Sequence, residues 1–173
     1  MPVNDGERMP DFRYFDRVAG AFTQKILRNE AKEGRIVLFG LPGAFTPTCS
    51  TEQLPKFEEL YDDLTTYVDD VFCTSINDPF VMNAWFDSLD IKKVKSLPDG
   101  NGDLAQSLKM FVAKRNLNFG HRSWRYAMIV NTKDKYIEKV FCEEGYGDNC
   151  ESDPYEISKP ENVLAWLKSK AGQ

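Results

Sequence analysis

Two short, uninterrupted apolar segments restrict the fold of this chain more than any other feature. They are RIVLFG, residues 35–40, and VFCTSI, residues 71–76. Continuous apolar runs of this length are typical of central strands that are covered on both faces. Between them, apolar side chains recur at spacings of three and four and predict an amphipathic helix: Leu54, Phe57, Leu60, Tyr61 and Leu64. A strand, a helix and a second strand in this order normally form a parallel, right-handed unit.

The following segments continue the alternation of strands and helices. A second helix is predicted at NDPFVMNAWF, with Asp78 as its cap, Pro79 in the first helical position, and an inward face of Met82, Phe86 and Leu89. KSLPDGNG indicates a short strand that ends in a turn, and DLAQSLKMFV indicates a third helix.

The last third of the chain predicts a hairpin and a final helix. WRYAMIVN and YIEKVFCEEG are separated by the polar connection TKDK, which favours two antiparallel strands. KPENVLAWLKSKA predicts a closing helix with Ser158 as N-cap and with Val163, Leu164 and Leu167 facing the core. We find no repeat and no linker, so residues 1–173 are expected to form one α/β domain, a mixed sheet flanked by helices.

Composition excludes several classes of function. The formal charge is −5, and no cluster of Lys and Arg alternates with aromatic residues, so nucleic acid is not an expected partner. No apolar stretch approaches 18 residues, and the first residues lack the apolar centre of a secretory signal. We therefore expect a cytoplasmic protein without a membrane partner.

The four cysteines, Cys49, Cys73, Cys142 and Cys150, do not resemble a disulfide scaffold in a chain of this length. Their spacing does not fit a zinc site, and the only histidine is His121, for which a loop or interface role is expected rather than catalysis. We predict no metal site, and the interest of the cysteines lies in thiol chemistry.

The segment LPGAFTPTCS, residues 41–50, joins the first apolar strand to the helix that follows it. With Thr46 as N-cap and Pro47 in the first helical position, Cys49 lies in the first turn. Unpaired amides and the positive end of the helix dipole favour a thiolate there. Thr46 can add a hydroxyl hydrogen bond to the sulfur. The alternative is that Cys49 is a small buried apolar side chain, as most free cysteines are.

Four segments of the sequence carry a family resemblance. PGAFTPTCS, residues 42–50, contains the Pro-x-x-x-Thr-x-x-Cys motif of the peroxiredoxins and resembles their type II, or fifth-class, branch. NDPFVMNAW, LPDGNG and GHRSWRYAMIV resemble the same branch in the same order. The resemblance implies a thioredoxin-like fold and a thiol peroxidase that reduces hydrogen peroxide and small alkyl hydroperoxides without a cofactor.

The resemblance also assigns roles by position. Cys49 resembles the peroxidatic cysteine, and Thr46 resembles the threonine that bonds the thiolate and the peroxide. Pro42 resembles the residue that shields the pocket, and Arg125 resembles the arginine that stabilises the thiolate and polarises the O–O bond. A dithiol exchange function is disfavoured, because Thr46 occupies the place of the first cysteine of a Cys-x-x-Cys pair.

The thiol that reduces the resulting sulfenic acid is left open by the sequence. Cys73 resembles the resolving position of plant-like members, and its alternative is a cysteine packed in the core. Cys150 lies near the resolving position of animal-like members but in a different local sequence, and Cys142 is expected to be structural. If neither resolves, the family implies reduction by glutathione with glutaredoxin or by thioredoxin.

Two further expectations concern the surroundings of the site. Phe45, Phe80 and Trp85 are candidates for the wall of the peroxide pocket, although aromatic residues there are also ordinary packing. The family commonly forms a homodimer through the face that carries the active site, and we expect the same here. The competing hypothesis for function is a non-catalytic thioredoxin-fold redox sensor or binding protein.

Overall fold

Strands and helices alternate along most of the chain in the computed structural model, which describes residues 1–171. The strands are β1 (Arg13–Val18), β2 (Ala21–Ile26), β3 (Arg35–Gly40), β4 (Asp70–Ser75), β5 (Lys95–Pro98), β6 (Phe111–Ala113), β7 (His121–Ser123), β8 (Tyr126–Asn131) and β9 (Tyr136–Cys142). The α-helices are α1 (Leu54–Glu59), α2 (Tyr61–Leu64), α3 (Pro79–Ser88), α4 (Asp103–Ser107) and α5 (Pro160–Ala171). A π-helical segment, Cys49–Gln53, leads directly into α1.

The central sheet has five strands in the order β5-β4-β3-β8-β9. β3 pairs in parallel with β4, and β4 pairs in parallel with β5. β8 is antiparallel to both β3 and β9. The predicted α/β fold with a mixed sheet, its parallel strand–helix–strand unit and its hairpin near the C-terminus are therefore confirmed.

The side chains of β3 alternate between two hydrophobic clusters, one on each face of the sheet. Val37 and Phe39 pack in the cluster that contains residues of α1, α3 and α5. Ile36 and Leu38 pack in the cluster that contains residues of α4 and β1. All four side chains are completely buried. Since both faces of the strand are covered, its sequence is a continuous apolar run rather than an alternating one.

The helix after β3 differs in detail from its prediction. It begins at Pro47, as expected, but the helical segment is interrupted at Leu60, whose φ of −93° and ψ of 7° are not helical. Phe57 and Leu64, on the two sides of this turn, are completely buried in the same cluster. The bend therefore keeps both halves of the predicted apolar stripe on the core.

The predicted start of α3 is confirmed. The side chain of Asp78 accepts a hydrogen bond from the amide of Val81 at 2.9 Å, and Pro79 opens the helix. Met82 and Phe86 are buried, while Leu89 lies one residue beyond the helix and packs against the core.

The prediction of the third helix, residues 103–112, is wrong for its second half. α4 ends at Ser107, and Phe111 begins β6, which pairs with β7. Lys109 has a positive φ of 56°, which an α-helix does not accommodate, and this residue separates the helix from the strand.

The predicted cap of the final helix is also wrong. The hydroxyl of Ser158 donates to the carboxylate of Glu143 instead of capping α5. The carbonyl of Lys159 accepts the hydrogen bonds from the amides of Asn162 and Val163 at the start of the helix. The cap is thus one residue later, because Ser158 is used by a buried carboxylate.

The hairpin of β1 and β2 is absent from the sequence-based prediction. Only Tyr14 is buried among the residues of its two strands, so the pattern of apolar residues carries little information. Its turn has positive φ at Ala19 and Gly20, as a two-residue hairpin connection requires. Within residues 1–171, no helix combines the length and apolar character needed to cross a membrane.

Candidate active site

Cys49 lies where the loop after β3 turns into the helical segment. Its side chain is completely buried at the first position of the π-helical segment, two residues after Pro47. The amide of Ser50 donates to the carbonyl of Thr46 at 3.0 Å and closes the first turn around the cysteine. The sulfur is therefore held by the main chain in a helical turn, as its position after Pro47 predicts.

Arg125 is the cation that is hydrogen-bonded to this sulfur. Its guanidinium is buried, with 2% of the side chain exposed, and Nη2 donates to Cys49 Sγ at 3.3 Å. Nε donates to Gln53 Oε1 at 2.8 Å. Nη1 donates to Asp153 Oδ1 at 2.6 Å and to the carbonyl of Pro154 at 2.9 Å. Acceptors on three sides fix the plane of the guanidinium, so one N–H is aimed at the sulfur.

The antiparallel pairing of β3 and β8 brings Arg125 to Cys49 across 76 residues of sequence. Gly40, the last residue of β3, pairs with Tyr126, the first residue of β8. A Cβ atom at Gly40 would lie 2.3 Å from the Tyr126 ring. This position must be glycine because the buried ring crosses directly over the backbone there.

Thr46 lies in the loop directly before the helix. Its hydroxyl donates to the carbonyl of Gly43 at 2.7 Å, so the proton is directed away from the sulfur. The oxygen keeps its lone pairs for an acceptor role. This geometry differs from the expectation that the hydroxyl donates to the sulfur.

Pro42 is tied to a second arginine that the sequence analysis did not identify. Arg122 Nη1 donates to the carbonyl of Pro42 at 3.1 Å, and Nε donates to the carbonyl of Phe119 at 3.1 Å. A Cβ atom at Gly43 would lie only 2.4 Å from Arg122 Nη1. The glycine therefore allows the guanidinium to lie against the loop that precedes the cysteine.

Asp153 is also new to the site. Burial acts against its charge, but the hydrogen bond and the charge of Arg125 outweigh burial and hold the pKa of this carboxyl below its ordinary value. The carboxylate thus remains charged near neutral pH. No spacing in the sequence relates it to Arg125, because its loop returns to the site only through the tertiary fold.

A cavity of about 140 Å³ opens beside these residues. Its walls combine apolar side chains with charged and nucleophilic ones: Pro42, Thr46, Pro47, Lys114, Leu117, Phe119, Arg125, Cys150, Glu151, Ser152 and Asp153. We call it the active-site cleft. It is large enough for a small molecule, and it is lined by Arg125 and Thr46, whereas the completely buried Cys49 is not part of its lining.

The three aromatic residues predicted for the pocket wall do not line this cleft. Phe45 and Phe80 are more than half exposed. Trp85 is completely buried, and its indole N–H donates to the hydroxyl of Ser50 at 2.8 Å. Their role in a pocket stays a prediction, and Leu117 and Phe119 provide the apolar walls of the cleft described here.

The remaining cysteines occupy different environments. Cys73 is completely buried in β4, in the same hydrophobic cluster as Cys49, and burial raises the pKa of its thiol well above the ordinary value. Cys150 is partly exposed and lines the active-site cleft. Cys142 ends β9, and burial raises the pKa of its thiol to about 11.

His121 is exposed and stacks on the ring of Phe111, with 4.8 Å between the ring centroids. It does not line the active-site cleft. Within residues 1–171, no three His, Cys, Asp or Glu side chains are grouped as a metal site would require. The chemistry that this geometry supports is that of a buried sulfur next to a fixed guanidinium, as the hydrogen bond from Arg125 Nη2 to Cys49 Sγ shows.

Comparison with known proteins agrees with this geometry. The Redoxin family model matches residues 4–156. Peroxiredoxin y4vD of Sinorhizobium fredii is 56% identical over 136 residues, which cover 78% of this chain and 71% of that protein. Hybrid peroxiredoxin hyPrx5 of Haemophilus influenzae is 38% identical over 172 residues, 96% of this chain and 67% of that protein.

A solved structure shares the architecture over nearly the whole length. The antioxidant protein of Plasmodium falciparum, described as a 1-Cys peroxiredoxin, superposes with a TM-score of 0.89 at 36% identity. The match covers 96% of this chain and 99% of that chain. The similarity thus extends over both the sheet and the loops that build the cleft.

Proposed function

The chain belongs to the Redoxin family and is a peroxiredoxin of the type II branch, and from this membership we propose that Cys49 is the thiolate that attacks the peroxide. Peroxiredoxins are thiol peroxidases, so the protein is an antioxidant oxidoreductase that acts on peroxides and is reduced by thiol proteins. The observation that carries the assignment of Cys49 is the hydrogen bond from Arg125 Nη2 to its sulfur at 3.3 Å.

The proposed reaction begins with attack of the Cys49 thiolate on one oxygen of hydrogen peroxide or of a small alkyl hydroperoxide. The S–O bond forms as the O–O bond breaks. The departing oxygen takes up a proton and leaves as water or as the alcohol. The sulfur is oxidised by two electrons to a sulfenic acid, and the peroxide is reduced.

Arg125 and Thr46 have complementary roles in this proposal. The guanidinium of Arg125 stabilises negative charge on the sulfur and on the departing oxygen. The hydroxyl of Thr46 donates its hydrogen bond to the carbonyl of Gly43, so its oxygen is left to accept the hydrogen bond from the O–H of the bound peroxide. Pro42 covers this end of the cleft and is held in place by Arg122.

Exposure favours Cys150 over Cys73 as the resolving cysteine. Cys150 lines the active-site cleft, and its thiol displaces water from the sulfenic acid to form a disulfide with Cys49. Cys73 is completely buried in the central sheet and would need local unfolding to react. If neither cysteine resolves, an external thiol reduces the sulfenic acid, and the cycle resembles that of a 1-Cys enzyme.

The reductant is proposed to be glutathione with glutaredoxin, or thioredoxin, in the cytoplasm. Each delivers a thiol that converts the oxidised cysteine back to the free form. No cofactor is needed for this cycle, because sulfur carries both electrons. The full sequence, residues 1–173, is proposed to act as one domain.

A homodimer through the face that carries the active site is part of the proposal. Two exposed apolar side chains near the cleft support it: Phe45 and Leu117. Phe45 directly precedes Thr46, and Leu117 lines the cleft. Exposed apolar side chains around a functional cleft are typical of a protein contact surface.

Peroxide consumption by wild-type protein and by Cys49→Ser tests the function. With dithiothreitol as reductant, the wild type is expected to consume hydrogen peroxide far faster than free cysteine does. Cys49→Ser is expected to consume it no faster than free cysteine. Cys142→Ser is the control, because this thiol lies outside the cleft. A Cys49→Ser protein with wild-type turnover would overturn the assignment. Wild-type protein no faster than free cysteine would favour the non-catalytic redox sensor.

A further inference from the structure

Lys114 lines the active-site cleft, and the proposed peroxidase cycle gives it no role. Only 4% of the residue is exposed, and it lines the cleft together with Arg125 and Cys150. Within residues 1–171, its ammonium has no hydrogen-bond or ion-pair partner. Its neighbour is the ring of Trp124, whose centroid lies 5.7 Å from Nζ.

Most of the Lys114 side chain is buried, while its ammonium keeps contact with the solvent of the cleft. Removing a lysine charge from water disfavours folding unless an anion or several acceptors replace the water. The Trp124 ring offers one favourable contact with the cation, which recovers only part of this cost. Since the side chain is held by burial and its ammonium opens into the cleft without an ion pair, the position is suited to an anion that enters the cleft from solvent.

Asp153 attracts Lys114 electrostatically, but within residues 1–171 no carboxylate of the cleft forms an ion pair with it. Asp153 forms its ion pair with Arg125 at 2.6 Å, and its distance from Lys114 Nζ exceeds the 4.0 Å of an ion pair. Glu151 is exposed to solvent and has no ion pair with a cation of the cleft. Four of the five N–H groups of Arg125 donate to protein acceptors or to the sulfur, and the fifth faces no acceptor among residues 1–171, so Lys114 adds a second cation for a ligand that also contacts Arg125.

We propose that Lys114 binds the carboxylate of a small organic molecule whose other end reacts at Cys49. The proposal rests on the peroxidase function assigned above. Pro42, Leu117 and Phe119 supply apolar walls for the carbon skeleton. The cleft thus offers a reactive end at Arg125 and Thr46, an apolar middle, and a cation for a carboxylate.

Two kinds of molecule present this chemistry. One is an organic hydroperoxide with a carboxylate, which oxidises the Cys49 thiolate and leaves as the hydroxy acid. The other is a carboxylate-bearing thiol, which attacks the sulfenic acid, forms a mixed disulfide and releases water; a second thiol then frees Cys49 and leaves as the disulfide.

Matched pairs of small molecules separate these two sources. For the oxidation step, tert-butyl hydroperoxide is compared with 3-hydroperoxy-3-methylbutanoate, which adds a carboxylate to one methyl group. For the reduction step, 2-mercaptoethanol is compared with 3-mercaptopropionate. Single-turnover stopped-flow measurements give a rate constant for each molecule with wild type, Lys114→Met and Lys168→Met. Lys168→Met is the matched control, because Lys168 is an exposed lysine on α5.

The decisive quantity is the ratio of the two rate constants in a pair, because general damage to the site cancels in it. Lys114→Met is expected to lower the preference for the carboxylate about tenfold, because one charge-assisted hydrogen bond is lost. Lys168→Met is expected to leave this preference unchanged. If Lys114→Met lowers the preference for the carboxylate in the hydroperoxide pair, the ligand is the hydroperoxide. If it lowers that preference in the thiol pair, the ligand is the thiol. Unchanged ratios in both pairs would overturn the carboxylate site while leaving the peroxidase function intact.

Lys114→Arg tests whether the effect of Lys114→Met comes from the lost charge or from altered packing. It keeps the charge, so it is expected to retain a preference for the carboxylate in the same pair in which Lys114→Met loses it. Equal loss of preference in both variants would show that packing, and not charge, determines the ratio, and would contradict the proposal.

Discussion

Asp153 Oδ1 accepts a hydrogen bond of 2.6 Å from Arg125 Nη1, across 28 residues of sequence. The same guanidinium donates to the carbonyl of Pro154. The loop that carries Cys150 is therefore attached to the arginine that contacts the Cys49 sulfur. Movement of Cys150 toward Cys49 would have to disturb these contacts, which links the position of the loop to the orientation of Arg125.

Asp153→Asn is expected to slow the oxidation of Cys49. The neutral amide keeps the size of the side chain but removes the ionic partner of Arg125, so the guanidinium is held less firmly in its orientation toward the sulfur. We expect kcat/KM for hydrogen peroxide to fall about tenfold, or ~1.4 kcal/mol of transition-state stabilisation. Glu151→Gln removes the same charge from the same loop and serves as the control. Equal effects of the two substitutions would point to net charge instead of orientation.

Glu143→Gln is expected to destabilise the fold in a pH-dependent manner. Burial opposes the charge of Glu143, but hydrogen bonds from the Ser158 hydroxyl and from three amides outweigh it and lower the pKa of the carboxyl. Because the pKa is lower in the folded state, this stability is present above the ordinary glutamate pKa and is lost as pH falls through the folded-state value.

Urea unfolding measures this effect. Near pH 7, Glu143→Gln is expected to lower the free energy of unfolding by about 2 kcal/mol, because the amide group cannot accept all four hydrogen bonds. The difference from wild type should shrink as the pH is lowered below about 4. Glu144→Gln, at an exposed neighbouring position, is the control. A difference independent of pH would contradict a role for the charge.

Gly40→Ala is expected to damage both stability and activity. The added Cβ would lie 2.3 Å from the completely buried Tyr126 ring, so β3 or β8 must shift. We expect a loss of about 3 kcal/mol in the free energy of unfolding. Since Arg125 precedes Tyr126, the peroxidase rate of the folded fraction should fall as well. Gly147→Ala adds a methyl group at an ordinary van der Waals distance, 3.9 Å from the carbonyl oxygen of Gly145, and should change neither quantity.

Cys150→Ser tests which thiol resolves. After stoichiometric hydrogen peroxide, mass spectrometry of the wild type is expected to find a disulfide between Cys49 and Cys150. In Cys150→Ser the sulfenic acid at Cys49 should persist and progress to sulfinic acid with excess peroxide. Cys73→Ser should leave the disulfide intact. A bond between Cys49 and Cys73 would assign the resolving role to the buried strand cysteine.

Local sequence was sufficient for the elements and for the reactive turn. The apolar runs of β3 and β4 predict central strands because both faces of these strands are covered. Pro47 predicts the start of the helix because its ring presets a helical φ and it has no amide to pair. Cys49 therefore falls in the first turn for local reasons, and the motif around it carries the family resemblance that identifies Arg125.

Tertiary structure alone decided which charges surround that turn. Asp153 and Lys114 lie in loops with no periodic pattern, and each reaches the cleft because distant strands pair and bring the loops together. The local sequence predicts only that Gly40 ends a strand. Position 40 requires glycine because the Tyr126 ring lies against it from another strand. Sequence thus determined the nucleophile and its helix, because these depend on neighbouring residues. The ion pair, the cation of the cleft and the packing beneath them depend on contacts between segments far apart in the chain, which only the folded chain creates.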